Sequence, residues 1–419
     1  MSVTHRDTCR LCGSAELELV LPILPSAIGD AFVSAELLNE PQETYPLDAY
    51  LCLRCGHLQN LDIVDPKILF GSYTYRTSSS LGLVEHFRAY AASVVRDLAL
   101  EPGSFVVEIG SNDGSLLRAF KDLGLRVRGV DAAANIADEA TAKGIPTIGG
   151  FFTPAIAQQI RATEAAADLV CANNVYAHID NMDDVTQGIR NVMSDNGAFV
   201  FEVSYVPDMI DNLVFDTIYH EHVSYHSLLP LEKFFRRFDL MLFDAMRVPS
   251  KGGSIRAFAQ PLSTGKRRQS ARLLSLFEEE RARGVENPET YRKYFSEIEQ
   301  RKTEVISILK EYAESGKKIA AYGASTTTTT LLFHFEMAPY IDFIVDDNPV
   351  KQGTFSPGCH IPVLPSSALL ERKPDLVVVL AWTYADPIIH RNQAYMAGGG
   401  KFLLPLPNVT VRGIDRFPG

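Results

Sequence analysis

The run Phe105-Val-Val-Glu-Ile-Gly-Ser-Asn-Asp-Gly114 constrains this chain more tightly than any other stretch. It opens as an apolar strand broken only by Glu108 and turns on Gly110 and Gly114. Leu116, Leu117 and Phe120 then take up a helical spacing. A strand that turns on glycine into a helix leaves backbone that a ligand can approach closely. The pattern is Glu-x-Gly-x-x-x-Gly, without the Gly-x-Gly-x-x-Gly dinucleotide fingerprint and without a following Gly-Lys-Ser/Thr. S-adenosylmethionine carries no pyrophosphate and needs no dense glycine cradle, and an acid at the strand end can meet its ribose hydroxyls or its cationic methionine end. About twenty residues on, Val127-Arg-Gly-Val-Asp131 reads as a second strand ending in an acid, the usual place for a ribose contact. The run predicts a methyl-donor site, with an ordinary tight strand-to-helix turn as the alternative.

The strand-helix alternation continues from about 104 to 204, through strands at 168–173 and 198–203, as a doubly wound parallel sheet requires. It resumes in the last hundred residues, where Lys318-Ile-Ala-Ala-Tyr-Gly323, 340–347 and 375–380 predict a second Rossmann-like unit. Between them, residues 267–315 are strongly helical and read as a connector. The run Thr326 to Thr330 stands at a helix start, where hydroxyls cap amides or meet phosphate oxygens. A length of 419 residues suits about three domains. The net charge of -11 argues against a nucleic-acid groove or an anionic membrane surface. The amino terminus lacks the apolar run of a signal peptide, and no apolar run is long enough to span a bilayer, so a cytoplasmic protein is expected.

Four of the six cysteines fall as Cys9-x-x-Cys12-Gly and Cys52-x-x-Cys55-Gly, with 39 residues between the pairs. Four thiolates suit a closed tetrahedral zinc site, which leaves no open position for chemistry. His57 is surplus to it, and Cys171 and Cys359 read as small buried hydrophobes.

Several polar stretches remain. Tyr73 and Tyr75 lie in a hydroxyl-rich segment before a helix through Leu83, Phe87 and Tyr90, and Ser78, Ser79 or Ser80 are candidate caps of that helix. Phe151 and Phe152 follow a Gly-Gly turn, where an adenine would stack or a core would form. Asn173, Asn174 and His178 lie beyond the carboxyl end of a strand, where open α/β sheets gather ligands. In Phe215-Asp-Thr-Ile-Tyr-His-Glu-His-Val-Ser-Tyr-His226, nine of twelve residues carry a hydroxyl, imidazole or carboxylate. Its His-Glu-His spacing is not that of a zinc protease, and a neutral imidazole beside a tyrosine and a carboxylate suits proton transfer. Gly252 and Gly253, with Ser254 and Arg256, read as a hairpin turn or a phosphate cradle.

Taken in order, these residues resemble the sugar C-methyltransferases that act at C-3 of nucleotide-linked 4-keto-deoxysugars. The likeness rests on the two knuckles, Glu108 to Gly114, Asn173-Asn174 with His178, Tyr219-His-Glu-His222, Gly252-Gly253-Ser254, Tyr322-Gly-Ala324 and Asp346-Asp-Asn-Pro349. It implies an amino-terminal zinc-binding domain (1–75), a central Rossmann-like class I methyltransferase domain carrying a catalytic insert (76–265), and a helical connector with a carboxyl-terminal Rossmann-like α/β domain that helps hold the nucleotide sugar (266–419). The implied groups are S-adenosylmethionine, held by Glu108, Gly110, Asn112, Gly114, Asp131, Phe151, Asn173 and Asn174, and zinc on Cys9, Cys12, Cys52 and Cys55. His222 is the expected base, Glu221 its orienting carboxylate, and Tyr219, His178 and Tyr75 the groups around the sugar. A monomer is implied, with no nucleic-acid or membrane partner. Two departures stand out: Gly323-Ala-Ser-Thr-Thr replaces a common Gly-Ala-Pro-Ala-Lys-Gly, and Lys251-Gly-Gly-Ser254 replaces a frequent His-Gly-Gly-Ser. A small-molecule O- or N-methyltransferase and a non-catalytic nucleotide-sugar-binding protein are the alternatives.

Overall fold

The computed structural model describes residues 2–70, 76–79 and 82–413. Phe105, Val107 and Ile109 face one side of their strand and Val106 and Glu108 the other, and all five residues are buried. A strand buried on both faces belongs inside a parallel sheet covered by helices. It is the fifth of seven strands in the order Leu240–Val248, Ser254–Pro261, Met193–Ser204, Ala167–Asn173, Phe105–Ile109, Arg126–Asp131 and Thr147–Gly149. Ser254–Pro261 alone runs opposite in direction to the other six strands.

One face is covered by helices Leu83–Leu98 and Ser115–Asp122, whose Phe87, Tyr90, Val94, Leu116, Leu117 and Phe120 pack on Val106 and Leu169. Each fully buried side chain of this size contributes about 1.5–3 kcal/mol of transfer free energy. The cap position of the helix at 83 is Gly82, in the left-handed region, and not one of the serines read as its caps; Ser80 lies outside the described residues. The expected helical connector is two helices, Ala271–Arg283 and Pro288–Glu314, separated at left-handed Gly284. The first packs Leu273, Leu276 and Phe277 on the central sheet's core. The second packs Tyr291, Tyr294, Ile298, Val305 and Leu309 into the core of the last sheet.

That last sheet has six strands in the order Val363–Leu364, Phe343–Val345, Ile319–Tyr322, Leu376–Val379, Lys401–Leu404 and Thr410–Arg412. All but the final strand are parallel, as the sequence grammar predicts. A third sheet, of four antiparallel strands, holds Leu17–Leu21, Ala49–Cys52, Leu58–Asn60 and, from far along the chain, Ser224–Tyr225. Among the described residues, no helix is long and apolar enough to cross a membrane.

Candidate functional site

The glycine turn is fixed by the acid of the next strand. Asp131 accepts the amide of Asn112 at 2.7 Å through Oδ2 and that of Ala133 at 2.9 Å through Oδ1. Asn112 and Asp113 in turn accept the amides of Thr77 and Ser78 at 2.9 Å, which docks the segment before the first long helix onto the turn. Gly110, expected as bare backbone for a ligand, is used by protein instead. A Cβ there would stand 2.7 Å from Val175 Cγ2, so its missing side chain lets the segment bearing His178 close over the turn.

What this end of the sheet leaves for a ligand is a set of buried polar atoms. Glu108 Oε2, Ser111 Oγ and both amide atoms of Asn173 make no hydrogen bond among the described residues. Such atoms cost about 1–3 kcal/mol each unless a bound group satisfies them. Burial pushes the Glu108 carboxyl well above the usual range, and the charges of Asp131 and Asp113 add to the shift. A cationic ligand group is what such a carboxyl would welcome. Gly114 sits against Ile145, and Asn174 donates its amide to the Glu202 carbonyl at 2.8 Å. Phe151 is exposed on the rim, one residue after Gly150 donates to the Asp131 carbonyl, whereas Phe152 is core. The donor set fits S-adenosylmethionine: Glu108 and Asn173 supply unsatisfied polar atoms, and Asp131 a fixed carboxylate.

The histidine-rich segment is held by three parts of the molecule at once. Ser224–Tyr225 pairs with Leu58–Asn60 of the four-stranded sheet, and Ser224 Oγ meets His57 Nε2 at 3.2 Å. Val223 donates to the Ala177 carbonyl at 2.9 Å, on the turn that carries His178. From the carboxyl-terminal unit, Trp382 Nε1 donates to Asp216 at 3.0 Å, Thr330 Oγ1 donates to the Ile218 carbonyl at 2.8 Å, and Phe335 stacks on Phe215. In the threonine run, read as capping amides or meeting phosphate, Thr329 and Thr330 instead join parts of the molecule: Thr329 bonds the Gly29 carbonyl and Thr330 that of Ile218.

Within this frame the imidazole of His222 is oriented unambiguously. Its Nδ1 lies 2.7 Å from the Thr217 carbonyl, which has no proton to give, so Nδ1 carries the proton. Nε2 is then the lone-pair nitrogen and accepts the Tyr219 hydroxyl at 2.9 Å. The expected orienting carboxylate is therefore replaced by a backbone carbonyl. Glu221 instead approaches His178, 4.0 Å from its Nδ1, and the His178 and His222 rings lie 4.9 Å apart. Burial, then the charges of His178 and Lys251, holds His222 well below the usual imidazole range. Burial and Lys251 bring His178 to about 3, and burial brings His220 and His226 to about 4. All four rings are neutral near pH 7. Tyr75 lies outside the described residues.

The hairpin at 249–254 is not a phosphate cradle. Arg256 is committed to Glu202 through Nε and Nη2 at 3.1 and 3.0 Å, and Ser254 Oγ donates to the Ser250 carbonyl at 3.0 Å. A Cβ on Gly253 would strike Asp208 at 2.4 Å.

Beside the strand that the histidine segment adds to the four-stranded sheet, the four sulfurs of Cys9, Cys12, Cys52 and Cys55 lie within 4.8 Å of one another. Thiolates about 2.3 Å from one tetrahedral ion stand about 3.8 Å apart, so the set fits zinc. Each knuckle closes on its glycine: the Gly13 amide donates to the Cys9 carbonyl and the Gly56 amide to that of Cys52.

Comparison with known proteins matches three family profiles in succession. A zinc binding domain covers residues 9–70, a methyltransferase domain 83–243 and a C-methyltransferase C-terminal domain 249–407. The chain is 32% identical over 412 residues to C-methyltransferase NovU of Streptomyces niveus, spanning 97% of this chain and 96% of that protein. Among solved structures, protein PH0226 of Pyrococcus horikoshii covers 46% of this chain and 99% of its own, at 13% identity and a TM-score of 0.37. The magnesium protoporphyrin IX methyltransferase of Synechocystis, solved with bound S-adenosylhomocysteine, covers 46% and 91%, at 16% identity and a TM-score of 0.34.

Proposed function

This chain belongs to the S-adenosylmethionine-dependent C-methyltransferase family, and from that premise we propose that it methylates C-3 of a nucleotide-linked 4-keto-deoxysugar through an enolate. A carbon acceptor must first become a nucleophile, and a neighbouring ketone makes its hydrogen acidic because the resulting carbanion is delocalised onto oxygen. The observation that carries the reading is the tautomer of His222, a neutral imidazole with its Nε2 lone pair turned to a tyrosine hydroxyl beside a second imidazole and a carboxylate.

In this mechanism His222 Nε2 is the proton acceptor, and the Tyr219 hydroxyl it holds is the group through which the proton reaches it. Burial makes the imidazolium costly, but it forms together with an oxyanion, so each charge compensates the other. Thr217 keeps the ring from rotating. Glu221 faces His178 and holds that ring toward the acceptor. S-adenosylmethionine supplies an electrophilic methyl group when bound, and Glu108, Asn112, Asp131 and Asn173 are the residues that would hold it. Trp382 and Thr330 bring the carboxyl-terminal unit against the same segment, and Thr383 lies beside Gly252, which supports its role in holding the nucleotide portion.

The test is His222→Asn with a panel of nucleotide-linked 4-keto sugars. Turnover should fall by about 10²–10⁴-fold, while calorimetry shows unchanged donor binding. Near-normal turnover would remove His222 from the role.

A further inference from the structure

Lys251 is a residue that the proton-transfer scheme does not use, and its backbone is unusual. It sits in the 3-10 turn Ser250–Gly252 with φ 52 and ψ 34, a left-handed conformation that a residue with a Cβ adopts at a cost of about 1–2 kcal/mol. The turn is held there from several sides. Ser250 Oγ donates to Glu202 at 2.9 Å, Asn212 Nδ2 donates to the Gly252 carbonyl at 3.0 Å, and Gly253 lies against Asp208. Glu202 is itself buried and fixed by Arg256 and by His86 at 2.7 Å. Strain maintained by this many contacts is commonly stored where a side chain must be aimed.

The turn borders the proton-transfer cluster. Ser254, which follows it, pairs with Ser204, whose Oγ lies 3.4 Å from Thr217 Oγ1 on the residue that holds His222. Lys251 is exposed, and its charge is felt by His178, His222, Glu221 and Glu202. Glu202 is saturated by Arg256, His86 and Ser250, and Glu221 is shared with His178. A cation placed beside two neutral imidazoles weakens them as bases, which is unfavourable unless an anion forms between them. An enolate is such an anion.

We propose that Lys251 is a catalytic residue of the acceptor site, its ammonium facing the substrate's carbonyl oxygen and carrying the negative charge that develops there. The inference rests on the enolate reading above. In the step it assists, the C–H bond breaks and its proton passes to His222. The electron pair is delocalised onto the carbonyl oxygen beside Lys251 and becomes available at carbon for the new C–C bond. No oxidant or reductant is needed.

The test uses the full-length enzyme and a 4-keto sugar nucleotide in deuterated water without methyl donor, followed by methyl transfer with donor. The parent should exchange the hydrogen at the acceptor carbon. Lys251→Met should lower exchange and turnover together by about 10²–10³-fold, the loss typical of one oxyanion donor. Lys251→Arg, which keeps the charge, should retain more activity than Lys251→Met. Lys251→Gly tolerates the left-handed backbone and guards against a folding defect; it should show the same loss as Lys251→Met, with donor binding intact. The acidic limb of the kcat/KM profile should move to higher pH in Lys251→Met, because a cation no longer faces His178 and His222. A parent that exchanges, with Lys251→Met and Lys251→Gly exchanging as fast, overturns this inference alone. A parent that shows no exchange with any sugar of the panel, yet makes a methylated product, overturns the enolate reading and this inference with it.

Discussion

The central and carboxyl-terminal sheets solve the same local problem in the same way and then diverge. In both, the amide of the turn glycine bonds the second strand, Gly110 to the Val130 carbonyl at 2.8 Å and Gly323 to that of Val345 at 2.9 Å. In both, an acid at the end of that strand receives two amides: Asp131 those of Asn112 and Ala133, Asp346 those of Ala324 and Asn348, all between 2.6 and 2.9 Å. The difference lies two residues before the glycine, where Glu108 corresponds to Ala321. It recurs at the end of the neighbouring strand: Cys171 pairs with Glu108 as Val378 pairs with Ala321, so Asn173 corresponds to Leu380. The acid is thus part of how such a turn is built, and the ribose role proposed for Asp131 comes on top of a structural one. Buried unsatisfied polar atoms are what set the central sheet apart.

The largest expected effect comes from erasing that difference. Glu108→Ala combined with Asn173→Leu gives the central sheet the composition of the other, and donor affinity measured by calorimetry should fall on the order of 10²-fold or more. The melting temperature should hold or rise, since two buried unsatisfied groups are removed. Unchanged affinity would break the comparison. A smaller effect tests the shared element. Asp131→Ala and Asp346→Ala each remove two amide bonds to a carboxylate, and each should cost about 2–4 kcal/mol in denaturant unfolding. Only the first should also weaken donor binding; an equal loss in Asp346→Ala would mean that the second sheet takes part in it.

The smallest effect is on protons. Burial, with the charges of Asp131 and Asp113, holds the Glu108 carboxyl well above the usual carboxylate range. A bound cationic methionine end favours its carboxylate, so binding should release a fraction of a proton and affinity should rise with pH, by less than tenfold per unit. Calorimetry in buffers of different ionisation enthalpy reads this directly. Release that persists in Glu108→Gln would assign it to another group.

What could be read from the sequence follows from which interactions are local. The strand, turn and helix from Phe105 to Phe120 and the two cysteine knuckles are set by near neighbours, and their residue types name their chemistry. The helix break at Gly284 is equally local, yet the continuous charge pattern around it masked two helices that serve different cores. The group orienting His222 was missed because it is the main-chain carbonyl of Thr217, which no side-chain pattern advertises. Glu221 stands next to His222 in the sequence, but the turn that donates the His222 amide to the Tyr219 carbonyl points its carboxylate at His178 instead. Arg256 and the threonine run looked like phosphate ligands because their partners, Glu202, Gly29 and Ile218, lie 54 or more residues away.

The strand Ser224–Tyr225 bears on how this protein can be taken apart. It is covalently part of the methyltransferase region but completes the sheet that begins at the cysteine knuckles, with His57 bonded to Ser224 and stacked on His226. The amino-terminal seventy residues are therefore not an exchangeable cassette. A chimera that took them from a relative would have to import the matching residues at 223–226 as well, or leave the histidine-rich segment without its edge. Inheritance of substrate preference among such relatives should accordingly follow the pair of segments and not either one alone.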